Sequence, residues 1–155
     1  MKLAEALIKR KALEELLVIL KRRLLANALV QEGHYPAEDP IKLTEELRRA
    51  VDDLMVLISR IETTNLSVSV DGISLSEMIT KRDLILREVF ILSEFLDKTK
   101  YRYCSSELLH GRTVRVRRIF SVAVTPCQKK LDELSHQARL LDAKIRGANW
   151  NTELL

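Results

Sequence analysis

From the first residues onward, apolar side chains recur at Leu3, Leu7, Leu13, Leu17, Leu20, Leu24 and Ala28, a spacing that predicts a helix over about 2–31. Leu16, Val18, Ile19, Leu25 and Leu29 add apolar surface off that stripe, more than one partner helix covers. The segment from Gln31 to Pro40 breaks the pattern with Gly33 and Pro36, and Asp39-Pro40 is a favourable N-cap followed by proline at the first helical position. A second helix over about 40–64 follows, with Leu43, Leu47, Val51, Leu54, Ile58 and Ile61 alternating spacings of three and four. The two helices pair in this reading as a long antiparallel, coiled-coil-like hairpin, with Leu13, Leu17, Leu20 and Leu24 against Leu47, Leu54 and Ile61.

Beyond Asn65 the period changes. Leu66-Ser67-Val68-Ser69-Val70 alternates and runs into Asp71-Gly72, which predicts a small β element over about 66–73. Ser74-Leu75-Ser76-Glu77 is a capping box for a third helix over about 75–98, whose face is apolar except for Arg82. Residues 101–124 read as a β-hairpin turning at His110-Gly111, with Arg118 marking a bulge. Thr125-Pro126 opens a fourth helix over about 126–147, ended by Gly147. Ile61-Glu62-Thr63-Thr64-Asn65-Leu66 and Ile145-Arg146-Gly147-Ala148-Asn149-Trp150 share an Ile-x-x-x-Asn-apolar pattern, read as two helix ends with asparagine in the left-handed conformation.

Composition supports a mainly α fold: of 155 residues 46% are hydrophobic, 31% charged and 5% aromatic, with four glycines and three prolines. One elongated helical domain is expected, because a helix of about 28 residues, Leu3 to Val30, spans about 42 Å while a compact chain of this size has a radius of gyration near ~15 Å. Its two-sided apolar surface predicts a homo-oligomer. The longest apolar runs, such as Leu16 to Leu20, have five residues, too short for a signal or membrane-spanning segment, so a cytoplasmic location is expected. Cys104 and Cys127 lack metal-knuckle spacing and read as buried thiols.

Two clusters carry candidate chemistry. Lys98, Lys100, Arg102, Arg112, Arg115, Arg117 and Arg118 face one acid, Glu107, so this stretch carries +6 of a chain whose total is +4. With Tyr101, Tyr103 and Phe120 interleaved, it is a candidate nucleic-acid surface, or else a solvated strand face that discourages edge pairing or meets acids of another subunit. Glu32, His34, Glu38 and Asp39 offer oxygen and imidazole groups for a divalent cation, although Asp39 is already explained as a cap and the spacing matches no metal motif. Phosphate-loop, zinc-helix and nucleophile-elbow motifs are absent, and neither a cofactor nor catalysis is expected.

Val30-Gln31-Glu32-Gly33, Pro36-Ala37-Glu38-Asp39-Pro40, Thr64-Asn65 and the closing Asn149-Trp150-Asn151-Thr152-Glu153-Leu154 together resemble the septicolysin-like family of small bacterial proteins. Gln128, Leu131, Asp132, Leu134 and Leu141-Asp142-x-Lys144-Ile145 extend the resemblance, while His34-Tyr35 and Leu109-His110-Gly111 depart from it. The resemblance implies a fold and no catalytic residues; the family's name implies membrane lysis. Three roles follow in order of preference: a self-assembling structural or interaction protein, an oligomer binding nucleic acid through residues 98–118, and a membrane-active protein.

Overall fold

A computed structural model describes residues 1–99, 104–109, 111–117 and 124–155. The fold is mainly α: α1 (Leu3–Ala26), α2 (Pro40–Ser67), β1 (Ser69–Val70), β2 (Ile73–Ser74), α3 (Leu75–Thr99), β3 (Cys104–Leu109), β4 (Arg112–Arg117) and α4 (Val124–Asn151). The two β pairs are antiparallel hairpins. Two compact units emerge, one of Met1–Glu77 with Lys144–Leu155, the other of Met78–Ala143.

In the first unit α1 and α2 pack as the expected antiparallel hairpin. Leu20, Leu43 and Ala50 are buried together, flanked by Leu16, Leu17, Leu24 and Leu47. Of the seven core residues expected from the stripe, Leu20 and Ile61 are buried, while Leu13, Leu17, Leu24, Leu47 and Leu54 are half-buried. A seam between two helices covers each side chain from one direction and leaves its flank toward solvent.

The first helix stops at Ala26, short of the expected end near position 31, because Asn27 satisfies the last carbonyls itself. Its backbone N–H donates to Arg23 and Leu24 carbonyls, its Nδ2 donates to the Arg23 carbonyl at 2.9 Å, and its Oδ1 accepts from the Glu38 N–H at 3.0 Å. The buried side chain thus ties the helix end to the far end of the loop. The loop closes as expected, Asp39 accepting from the Ile41 N–H at 2.9 Å with Pro40 opening α2.

The asparagine-ended helices need correction. α2 continues to Ser67 and α4 to Asn151, so Asn65, Gly147 and Asn149 lie inside helices rather than ending them. Among the described residues the non-glycine with positive φ is Asp71, at 53°, followed by Gly72 at 84°. Positive φ at both central positions is the two-residue turn that suits a twisted hairpin, and it joins Val70 to its partner Ile73. Ser74 caps α3, accepting from the Glu77 N–H at 3.1 Å.

Residues 152–154 lie antiparallel to residues 1–3: Leu3 N–H donates to the Thr152 carbonyl and Leu154 N–H to the Met1 carbonyl, both at 2.9 Å. Thr64, fully buried, donates to the Arg60 carbonyl and accepts from the Leu155 N–H at 3.1 Å. This closure, with Lys144 paired to Asp71 at 2.7 Å, ties α4's last turns into the first unit.

Candidate functional site

The second unit carries a cleft of 340 Å³ between α3 and α4. Arg82, the one charge on α3's apolar stripe, is held at one end by Asp83 at 2.7 Å and reaches across to Asp142 of α4 at 3.3 Å. Leu86 and Val89 line the cleft from α3, and Ala138 lines it from α4. Ser135 and Arg139, four residues apart on α4 and therefore on one helix face, complete the wall. Arg82 is shared between Asp83 and Asp142, whereas Arg139 is exposed and holds no ion pair among the described residues. The cleft therefore combines an apolar floor, one unpaired guanidinium and a nearby hydroxyl.

Of this set, the sequence marked Arg82 as the charge in an apolar stripe and Asp142 only within the Leu141-Asp142-x-Lys144-Ile145 run. The isolation of Arg82 in that stripe was the available signal; the Ser135, Arg139, Asp142 spacing on α4 was a second.

The candidate metal loop resolves into structural roles. Glu38 is gripped by Arg23, whose Nε lies 3.0 and 3.1 Å from its two oxygens and whose Nη2 makes a third contact; Glu46 accepts from Arg23 at 3.5 Å. The hydrogen bond to Arg23 holds the Glu38 carboxyl below its ordinary value, and Glu38 in turn raises Arg23. Asp39 caps α2, and Glu32 and His34 are exposed. Among the described residues, no three His, Cys, Asp or Glu side chains converge as a cation site would require.

The basic segment is partly described. Lys98 is exposed near the end of α3, and Arg112, Arg115 and Arg117 stand on β4 opposite Leu109, Ser106 and Cys104 of β3. Lys100, Arg102, Arg118, Tyr101, Tyr103, His110 and Phe120 lie outside the described residues. Cys127 is half-buried rather than buried.

Residues 10–154 match DUF6847, a family of unknown function. No curated protein matches the chain. The fold is similar to the crystal structure of a functionally unknown conserved protein from Corynebacterium diphtheriae, at 29% identity and a TM-score of 0.87, covering 100% of this chain and 99% of that one. The chain belongs to the DUF6847 family. The family match and the crystal-structure match overturn the septicolysin-like resemblance, which rested on turn and helix-end residues, and the lytic activity loses the resemblance that implied it. Such residues report how helices are joined, and many unrelated helical proteins share those solutions.

Proposed function

We propose that this protein is a self-associating helical module whose role is interaction rather than catalysis. The observation that carries the reading is the outer face of α2. Val51, Leu54, Met55 and Ile58 form a shallow apolar groove there, with Met55 exposed at 64%. Large apolar groups left in water favour association, at about 25 cal/mol per Å² removed from solvent.

A second copy of the chain is the occupant that the local charges suit. Arg48 pairs with Asp52 at 3.2 Å and Arg49 with Glu45 at 3.7 Å on the same helix. A two-fold interface brings a patch against itself, so flanking charges that already cancel meet their copies without net repulsion, and Glu62 at the groove's end is the carboxylate such an interface must leave in solvent. Among the described residues no helix is long and apolar enough to cross a membrane.

Light scattering coupled to size exclusion tests this. Wild type should exceed the 17.8 kDa of one chain and Met55→Glu should fall to it. A wild-type mass of one chain across the accessible concentration range would sink the proposal. Met55 is a better probe than Leu17, which helps form the α1–α2 seam itself.

The basic hairpin supports a second reading, nucleic-acid binding, through Arg112, Arg115 and Arg117 placed together on β4. Filter retention of DNA or RNA that is lost in Arg115→Glu/Arg117→Glu would favour it; no retention at low salt would remove it.

A further inference from the structure

We infer that the α3–α4 cleft is a binding site for a small organic carboxylate with an apolar body. The inference is independent of self-association, which was argued from α2. Three features define the ligand. The cleft's 340 Å³ lies at the small end of the roughly 300–1,000 Å³ range of small-molecule sites, which suits a short chain or a single ring.

Its floor of Leu86, Val89 and Ala138 gives the apolar body somewhere to lie. The head group is set by the charges. Arg139 is the cation with no partner, and the Ser135 hydroxyl, one helical turn away, has no hydrogen bond among the described residues.

A guanidinium offers paired donors in the geometry a carboxylate accepts. Asp142, three residues from Arg139 on the same helix, shares Arg82 with Asp83, and the excess negative charge there opposes a second charge on the ligand, so a monoanion fits better than a phosphate dianion. A neutral ligand would leave Arg139 unused, and a cation would be opposed by Arg139, the Arg82 charge being already taken up by Asp83 and Asp142. The carboxylate therefore sits on Arg139 and Ser135, and the apolar body lies over Leu86, Val89 and Ala138.

Octanoate, kept below its micelle-forming concentration, is the probe, with 1-octanol and octylammonium as controls, read by amide chemical-shift titration of the full chain. Octanoate should produce saturable shifts at Leu86, Val89, Ser135 and Ala138, and octylammonium should produce none. In Arg139→Gln octanoate should bind about tenfold more weakly, the loss of one charge-assisted contact, while any 1-octanol binding stays unchanged. Arg139 is exposed and holds no ion pair among the described residues, so the variant should keep its amide spectrum elsewhere. Octanoate binding unaffected by Arg139→Gln, equal binding of octylammonium, or no saturable shift at the cleft would each overturn the inference. None of these outcomes bears on the mass measurement at α2, so the two proposals fail separately.

Discussion

Leu20→Ala tests where the first unit's stability resides. Leu20 is fully buried between Leu43 and Ala50 and is flanked by half-buried leucines of both helices. Shortening it to alanine removes three carbons from this seam, which at about 0.8 kcal/mol for each is ~2.4 kcal/mol of lost burial. A cavity contribution adds to this, and it is small because Leu16, Leu17 and Leu24 are not enclosed and can settle into the space. The expected cost is about 3 kcal/mol. Urea unfolding followed by far-UV circular dichroism, at dilute protein, should show the midpoint falling by ~1.5 M for a slope near ~2 kcal/mol/M, with the slope unchanged. Leu25→Ala, at a side chain 66% exposed on the same helix, should cost less than about 0.5 kcal/mol. A Leu20→Ala cost under about 1 kcal/mol, or one matched by Leu25→Ala, would refute the α1–α2 seam as the unit's core.

Two further consequences follow from the loop and the ion pairs. Asn27→Ala leaves the Glu38 N–H and the Arg23 carbonyl without their side-chain partner, and should cost about 1–3 kcal/mol and speed hydrogen exchange at Glu38; protection unchanged at that amide would count against the tie. Arg23 lowers Glu38, and hydrogen bonds from Lys2 and the Met1 ammonium lower Glu153, both from the ordinary 4.5. In acid the unfolded chain therefore binds more protons than the native one, so this stabilisation is complete above about pH 4.5 and is lost as pH falls through the lowered values. Thermal midpoints should drop between about pH 5 and 3 for wild type and less steeply for Glu38→Gln/Glu153→Gln; parallel curves would exclude these carboxylates as the cause.

The helices and their pairing were legible because they rest on local rules. A period near 3.6, Asp39-Pro40 and Ser74-x-x-Glu77 each state a helix face or a helix start within a few residues. Asp71-Gly72 was readable for the same reason, since few residues accept two positive φ values in succession. The end of α1 was misjudged because it depends on Asn27 meeting Glu38 eleven residues later, a contact that periodicity does not contain. Asn65 and Asn149 misled in the opposite direction. Both are compatible with a helix end, but residues 152–155 dock beside the starts of the chain and Thr64, and packing extends the helices through them. The cleft stayed hidden because Arg82 and Asp142 are 60 positions apart and become neighbours through the packing of α3 on α4.

The two proposed surfaces differ in charge pairing, and salt should separate them. On α2 the flanking arginines are paired within their own helix, so association there draws on apolar burial; added salt screens little of it, and strongly excluded salts such as sulfate strengthen it. In the α3–α4 cleft the head group meets an exposed, unpaired Arg139, an attraction screened over a Debye length of about 10 Å at 0.1 M and ~3 Å at 1 M. Raising sodium chloride, which screens charge without strongly enhancing apolar burial, should therefore preserve the associated mass while weakening octanoate. If the assembly instead dissociates with salt, charged contacts hold it together and α2's apolar face is not the interface. If octanoate affinity is flat with salt while Arg139→Gln has no effect, the cleft binds the apolar body alone.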